Sequence, residues 1–421
     1  MSRYKQSFYN INLVQEGYVE KEKDIIPVYN TLRGKFGYIP DYIDYDNPPE
    51  QLLREYFIVS ADVDEPERYR QNQIKAIENE YPQQVALTIC STMLCNYQCE
   101  YCFENNHKGV DMSDETCSDI IRYIQNEIDR NTNLKSLRIK WFGGEPLMRM
   151  DVIKRISEFI IPYCQDRDIQ YAAEIVTNGY LLTKEISIEL KGFSVNRAQI
   201  ALDGFEDTYK SLRIAPDDAY QKVLYNIENS VIPVSIRLNT TRHNTDEIIG
   251  LAKQLCELSS IQEKRNSLTI SRVKEYSKPL STGFTDKEWL AFRQRRNEFR
   301  ASVNNGFVHL DRSSLIPCVN LQKRSVVLCA DGYIYRCEND AGYIKRAIGT
   351  IKDGIKTNDT EKKYICSTIT RECKQCKYLP ICCGGRCRYD ELVFGKSCKL
   401  IQGRFRQNMQ DYLKYVYNSS S

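Results

Sequence analysis

Residues 95–103, CNYQCEYCF, place Cys95, Cys99 and Cys102 on one short segment with the spacing C-x3-C-x2-C. Three thiolates this close can bind three corners of a cubane iron–sulfur cluster, which takes cysteine ligands in short runs. A zinc ribbon instead needs a C-x2-C pair matched by a second pair further along. Three local ligands leave one iron of a cubane without a protein ligand, and such an iron is a site for chemistry as well as for electron transfer. The segment follows shortly after VALTIC (85–90), a run of strand-forming residues, so the cysteines belong to the region just past a strand end.

Outward from that strand, β-rich runs alternate with helical patterns from about Val85 to Val273. The candidate strands are LRIKWF (137–142), EIVT (174–177), QIAL (199–202), VSIRLN (234–239) and LTISRV (268–273). Between most of them lie Met150–Cys164, Thr183–Leu190 and Thr245–Leu258, whose apolar residues recur with a spacing near 3.6. Strand–helix alternation predicts βαβ units and a parallel sheet, open or closed. Such sheets hold their ligand beyond the carboxyl ends of the strands. Short motifs lie at or just after those ends: Gly143-Gly144-Glu145-Pro146, Thr177-Asn178-Gly179 and Ala201-Leu202-Asp203-Gly204. Paired glycines let backbone approach a ligand closely, and a nearby carboxylate accepts bonds from an ammonium. Taken alone, GGEP is more often a turn than a site.

The chain has 421 residues, 42% hydrophobic and 27% charged, with 59 basic against 56 acidic side chains and a net charge of +3. This balance suits a globular protein with a sizeable core and argues against wholesale disorder. It supplies no basic stripe for nucleic acid. Of 17 cysteines, ten fall between Cys318 and Cys398. Disulfide scaffolds of such density suit short secreted chains. The N-terminus MSRYKQSFYNINLVQEG has no signal-peptide pattern, and no run of about 18 apolar residues predicts a membrane span. The expectation is a cytoplasmic protein whose odd cysteine count serves metal rather than disulfides. The histidines, 107, 243 and 309, are scattered and support no histidine-based site.

The C-x3-C-x2-C run, with Tyr101 before its third cysteine and the strand-end motifs following in order, resembles the radical S-adenosylmethionine (radical SAM) superfamily. The resemblance implies an α/β fold with a partial (β/α)6 TIM-like barrel. It implies a [4Fe–4S] cluster on Cys95, Cys99 and Cys102 whose open iron chelates S-adenosylmethionine (SAM). It also assigns Tyr101 to the cofactor site, and Gly143, Gly144, Glu145 and Pro146 to the methionine amino group. Thr177, Asn178, Ala201 and Asp203 would line its ribose and methionyl ends, although Ala201 stands where serine is common. Arg213 sits where sulfatase-maturing relatives aim an arginine at the nucleotide; a solvated surface arginine is the alternative. The chemistry implied is reductive cleavage of SAM to a 5′-deoxyadenosyl radical that abstracts hydrogen from a substrate C–H bond, work carried by the cofactor and shielded by the protein.

The C-terminal cysteines resemble a SPASM domain, an extension holding two auxiliary [4Fe–4S] clusters, for three clusters in all. Cys318, then Gly332-x4-Cys337, Cys373-x2-Cys376-x5-Cys382, Cys387 and Cys398 carry the likeness. It implies Cys318, Cys337 and Cys387 for the first auxiliary cluster, and Cys373, Cys376, Cys382 and Cys398 for the second. Adjacent Cys382 and Cys383 compete for one role. Cys329, in SVVLCADGYIYRC, either completes the first auxiliary cluster or is a buried strand cysteine. Glu338, directly after Cys337, stands where sulfatase-maturing relatives carry an aspartate as proton acceptor; a solvated loop acid is the other reading. Cys90, Cys117, Cys164, Cys256 and Cys366 lack ligand spacing.

Four regions follow. Residues 1–84 form a small α+β, winged-helix-like module, with candidate strands Phe8–Val14 and Ile25–Tyr29, a helix from Pro48-Pro49-Glu50 to about Tyr56, and a second helix within Asp62–Glu80. Residues 85–273 form the barrel, 274–315 a helical bridge, and 316–421 the SPASM region with a closing helix near Gly403–Tyr415. Peptide maturases of this kind commonly hold a leader peptide on an N-terminal module by strand addition. The expected function is therefore a thioether or carbon–carbon cross-link in a ribosomally made precursor peptide, with a flavodoxin- or ferredoxin-type electron donor. The alternatives are oxidation of a sulfatase cysteine or serine to formylglycine, and a non-catalytic Fe–S electron-transfer protein.

Overall fold

The computed structural model describes residues 2–21, 24–104, 109–273, 283–303, 310–385, 387–395 and 398–419. His107, His309 and residues 274–282 and 304–309 of the expected bridge lie outside them. The chain divides into two compact units: residues 79–292 with 323–364, and residues 1–78 with 293–322 and 365–421.

Strands are numbered in chain order. In the second unit named, the N-terminal part contributes β1 (Tyr4–Gln6), β2 (Asn10–Asn12), β3 (Ile25–Asn30), β4 (Lys35–Pro40) and β5 (Ile58–Ser60). β2, β3 and β4 form an antiparallel sheet, and β1 pairs with β5. The strand expected over Phe8–Val14 shortens to Asn10–Asn12, because the Asn12 side chain accepts from Val14 N and Gln15 N at 3.0 Å and bends the chain away. The expected helices form over Glu50–Arg54 and Glu65–Ile77, the latter capped by Asp64, whose carboxylate accepts from Glu67 N. One core joins this segment to the C-terminal cysteine region: Ile11, Leu13 and Tyr29 pack with Tyr378, Ile381, Phe405 and Met409.

The other unit carries β6 (Gln84–Thr92), β7 (Ser136–Gly143), β8 (Gln170–Thr177), β9 (Val195–Leu202), β10 (Val234–Thr240) and β11 (Ser267–Arg272), all parallel and adjacent in chain order. Helices Asp114–Arg130, Met150–Gln165, Lys184–Gly192, Ala219–Asn229 and Thr245–Leu255 fill the connections. Their sequences explain their packing. Val152, Ile153, Ile156, Ile160 and Cys164 lie on one stripe and are at most 3% exposed. Burying each isoleucine contributes roughly 2 kcal/mol. Ser113 and Thr183 accept from Thr116 N and Ile186 N, starting two of these helices. Strand alternation sorts the faces: Leu137, Ile139 and Trp141 are buried, while Lys140 and Phe142 face a cavity.

The sheet continues beyond β6. β12 (Val327–Cys329) pairs with β6 in parallel, and β13 (Tyr333–Tyr335), β14 (Gly349–Thr350) and β15 (Gly354–Ile355) extend it antiparallel. Val326, Val327, Leu328 and Cys329 are fully buried there, so the apolar run covers the β6 edge.

Candidate functional site

A cavity of about 510 Å3 opens at the carboxyl ends of β6–β10 and reaches down their inner faces. Cys95, Cys99 and Cys102 all line it. Backbone bonds hold their loop: Gln98 N donates to Arg213 O at 3.1 Å, Glu100 N to Leu212 O at 3.0 Å, and Cys102 N to Cys99 O at 3.1 Å. Tyr97, 2% exposed, packs edge-on against Tyr180 and Tyr209 and shares a 3.2 Å hydroxyl contact with Tyr209. The loop is thus seated on the helix Glu206–Arg213.

The donor set fits an iron–sulfur cluster. Three thiols on one short loop face one cavity, the donor type and local grouping that a cubane takes. Burial pushes the Cys95 and Cys102 thiols up to about 12, so cluster assembly at neutral pH must displace their protons.

The glycines of GGEP serve close backbone approach. A Cβ on Gly143, whose φ is +123°, would stand 2.1 Å from Thr92 O, and one on Gly144 would stand 2.2 Å from Leu94 O. Gly144 N and Glu145 N donate to those same carbonyls at 3.0 and 2.9 Å, which joins the end of β7 to the start of the cysteine loop. Glu145 is fully buried, and its oxygens accept from Leu147 N, Thr177 Oγ1 and Asn178 N at 2.7–3.0 Å. Pro146 begins the short turn that follows. Asn178 Nδ2 in turn donates to Asn96 Oδ1 at 2.7 Å, which brings the end of β8 to the same loop. Gly144→Ala is expected to lower the melting temperature by about 2–12 °C, since a backbone clash of this kind costs about 1–3 kcal/mol. Differential scanning fluorimetry checks this, and an unchanged transition would contradict the packing described.

At the end of β9, Asp203 is fully buried; its Oδ1 accepts from Tyr101 OH at 2.7 Å and its Oδ2 pairs with Arg213 Nε. Arg213 lines the cavity but is only 4% exposed, so it is a buried partner of Asp203 rather than a solvated arginine. Ala201 also faces the cavity. Asn239, at the end of β10, donates to Tyr101 OH at 3.3 Å, and Asn244 donates to Asp203 O at 2.6 Å. Sequence reasoning missed both asparagines, although Asn239 ends VSIRLN as Thr177 ends EIVT.

Deeper in the cavity, Lys140 Nζ lies 2.5 Å from Glu338 Oε1, which also accepts from Thr88 Oγ1 at 3.1 Å. Glu338 therefore lines the barrel interior. Glu104, also missed, is 5% exposed, and burial with the nearby Glu338 and Glu145 pushes its carboxyl up to about 8. Cys337 belongs to the same unit and starts the turn Glu338–Asp340. Cys329 is fully buried on β12, in register with Cys90, its sulfur 3.6 Å from Met93 Sδ.

In the other unit, the Cys376 thiol interacts electrostatically with Cys373 and Cys398, and the Cys382 thiol with Cys398, Cys373 and Cys383. Burial pushes Cys382 up to about 11. Cys383 adopts φ +56° and donates to Ser314 O at 2.9 Å, a different direction from Cys382. Gln73 Nε2 donates to Cys383 O at 2.9 Å, so the N-terminal helix supports this cysteine loop. Cys318 and Cys387 lie in this unit, Cys318 exposed and Cys387 half-buried. Among the described residues no helix is long and apolar enough to cross a membrane.

Comparison with known proteins agrees with this geometry. Residues 89–255 match the radical SAM superfamily. The radical SAM cyclopropyl synthase TigE of Paramaledivibacter caminithermalis is 28% identical over 228 residues, 48% of this chain and 47% of that protein, so the chain spans about half of that relative. Among solved structures, anSMEcpe with bound AdoMet and the Cp18Cys peptide superposes with a TM-score of 0.58 at 16% identity, over 80% of this chain and 97% of that one. SuiB of Streptococcus suis, bound to the precursor peptide SuiA, gives 0.51 at 16% identity, over 91% and 84%. The structural likenesses establish the fold across both units, and the three-cysteine loop, the strand-end motifs and the sequence match together make residues 89–255 a radical SAM domain, whose family implies SAM and a [4Fe–4S] cluster.

Proposed function

We propose that the chain is a peptide maturase that installs a side-chain cross-link, thioether or carbon–carbon, in a ribosomally made precursor peptide. The observation that carries this reading is the single cavity joining three cluster cysteines to a polar inner wall. The fold shared with two enzymes solved with peptides, Cp18Cys and SuiA, supports a peptide as substrate. When bound, a reduced cluster and SAM would supply radical chemistry able to remove one hydrogen atom from a peptide C–H bond.

The residues of the chain divide the remaining work. Cys95, Cys99 and Cys102 hold the cluster. The GGEP edge, Tyr101, Thr177, Asn178, Ala201, Asp203 and Arg213 bound the space for SAM. Glu338, held by Lys140 and Thr88, stands in the cavity to take up the proton released as the cross-link forms. Cys373, Cys376, Cys382 and Cys398, all in one unit, would hold an auxiliary cluster, which would supply a site able to take up an electron from the substrate. A flavodoxin or ferredoxin of a reducing cytoplasm supplies the first electron, and residues 1–84 engage the leader.

Iron and sulfide quantification after anaerobic reconstitution tests the cofactor count. About twelve irons are expected in the parent and about eight in a Cys95/Cys99/Cys102→Ala triple variant, at ~four irons per cluster. About four irons in the parent and none in the variant would remove both auxiliary clusters from the reading. Mass spectrometry of the reacted peptide tests the chemistry, because a cross-link removes a pair of hydrogens. Conversion of cysteine to formylglycine, the second reading favoured by Glu338 beside Cys337, removes its sulfur.

A further inference from the structure

We infer that Arg237 is the anchor for a carboxylate of the substrate, an inference that rests on the peptide-maturase reading and specifies what the peptide must carry. Arg237 lies on β10 between Ile236 and Leu238, both fully buried against the helix layer, so its own side chain is on the cavity face. Its register partners are Ala201 on β9 and Thr269 on β11. Neither supplies a charge, and the small Ala201 leaves room beside the guanidinium. Arg237 Nε donates to Asn239 Oδ1 at 3.1 Å, and Asn239 continues through Tyr101 to Asp203. The guanidinium is thereby oriented by a chain of bonds that ends beside the cysteine loop.

Two of the other cations of the cavity are paired, and the third, Arg197, is exposed. Lys140 is paired with Glu338, and Arg213 with Asp203. Arg197 has Glu174 beside it in register. Among the described contacts Arg237 has no ion pair, and its two terminal nitrogens have no hydrogen-bond partner. A half-buried guanidinium with one edge fixed and its terminal fork open matches a carboxylate, which takes two parallel N–H bonds from that fork. The carboxylate can come from an aspartate or glutamate side chain or from a peptide C-terminus. Set below the strand ends by three residues of β10, the fork reaches a substrate group that has entered past the SAM-binding edge.

The test uses three probes on the anaerobically reconstituted, SAM-loaded enzyme: acetyl-Gly-Glu-Gly-amide, acetyl-Gly-Gln-Gly-amide and acetyl-Gly-Gly-Gly with a free C-terminus. Calorimetry is expected to show the Glu peptide binding at least about tenfold more tightly than the Gln peptide, the difference a charged hydrogen bond supplies. The free-terminus peptide separates the two carboxylate sources. Arg237→Gln is expected to bring Glu and Gln peptides within about twofold of each other, and Arg237→Lys to restore part of the gap. Iron content and melting temperature establish that each variant is folded and loaded, and Arg237→Lys carries the test if Arg237→Gln is not. Equal affinity of the parent for the Glu and Gln peptides overturns the proposal, as does no binding of the Glu peptide at tens of millimolar. Loss of SAM affinity in Arg237→Gln with the peptide preference intact also overturns it, because the fork would then serve the cofactor. Formation of 5′-deoxyadenosine by the parent is measured in the same samples. Its absence defeats the radical reading, whereas its presence without a Glu preference defeats only the role of Arg237.

Discussion

Cys99→Ala protein, reconstituted anaerobically with iron and sulfide, is expected to form no detectable 5′-deoxyadenosine from SAM in the presence of dithionite. Cys376→Ala protein under the same conditions is expected to keep part of that activity while losing modified peptide. The contrast follows from where the two residues lie. Cys99 is the middle cysteine of the loop seated on the helix Glu206–Arg213, and it lines the cavity at the strand ends. The bonds that seat the loop are made by the backbones of Gln98, Glu100, Leu212 and Arg213, so removing the Cys99 sulfur leaves the loop in place. What disappears is a thiolate for which the described neighbourhood holds no substitute. Cys376 lies in the other unit, among Cys373 and Cys398, and the proposed role of that group is downstream of hydrogen abstraction. Liquid chromatography of 5′-deoxyadenosine, paired with mass spectrometry of the peptide, reads both effects. Equal SAM cleavage by Cys99→Ala and the parent would remove the catalytic cluster from this loop.

Much of the barrel was legible in the sequence for a local reason. Runs such as VALTIC and VSIRLN carry β-branched residues, and the intervening stripes at 3.6 spacing, one of them begun by Thr183, favour helices before any tertiary contact exists. The order of the strand-end motifs was legible because a parallel βαβ chain delivers successive ends to one rim. Long-range packing was not. Nothing in SVVLC states that it will pair with β6, since a fully apolar strand fits any buried edge. The closure of Arg213 on Asp203 required a helix turn whose geometry ten residues of sequence do not specify. Likewise, the strands that carry Ile11 and Tyr29 read as part of a small N-terminal module, yet these two residues pack with Tyr378 and Phe405, hundreds of positions away.

The largest stability effect is expected from Glu361→Gln. Arg336 is fully buried, and its guanidinium is surrounded: Nε donates to Glu361 Oε2 at 2.5 Å, Nη1 to Ser325 O at 3.0 Å, Nη2 to Lys323 O at 3.0 Å, and Nη2 also to Glu361 Oε1. Glu361 is itself held, since its N–H donates to Asn358 Oδ1 at 2.9 Å. Neutralising Glu361 leaves a buried guanidinium without its counter-charge, which costs about 3–5 kcal/mol. For a unit of this size that corresponds to a melting temperature lower by about 6–20 °C. An exposed pair supplies the control: Lys352 and Glu115, 3.8 Å apart with side chains 68% and 79% exposed, should give Lys352→Ala a change within about 0.5 kcal/mol. The effect should reach the cavity as well, because Arg336 immediately precedes Cys337 and Glu338. Freed from Glu361, this stretch loses the anchor that sets Glu338 against Lys140 and Thr88. Arg336→Met combined with Glu361→Leu should recover much of the stability by removing both charges, whereas either single change should not. A single Glu361→Gln variant melting within about 2 °C of the parent would mean that water or another anion reaches Arg336, and that the pair is not what fixes the chain between β13 and Glu338.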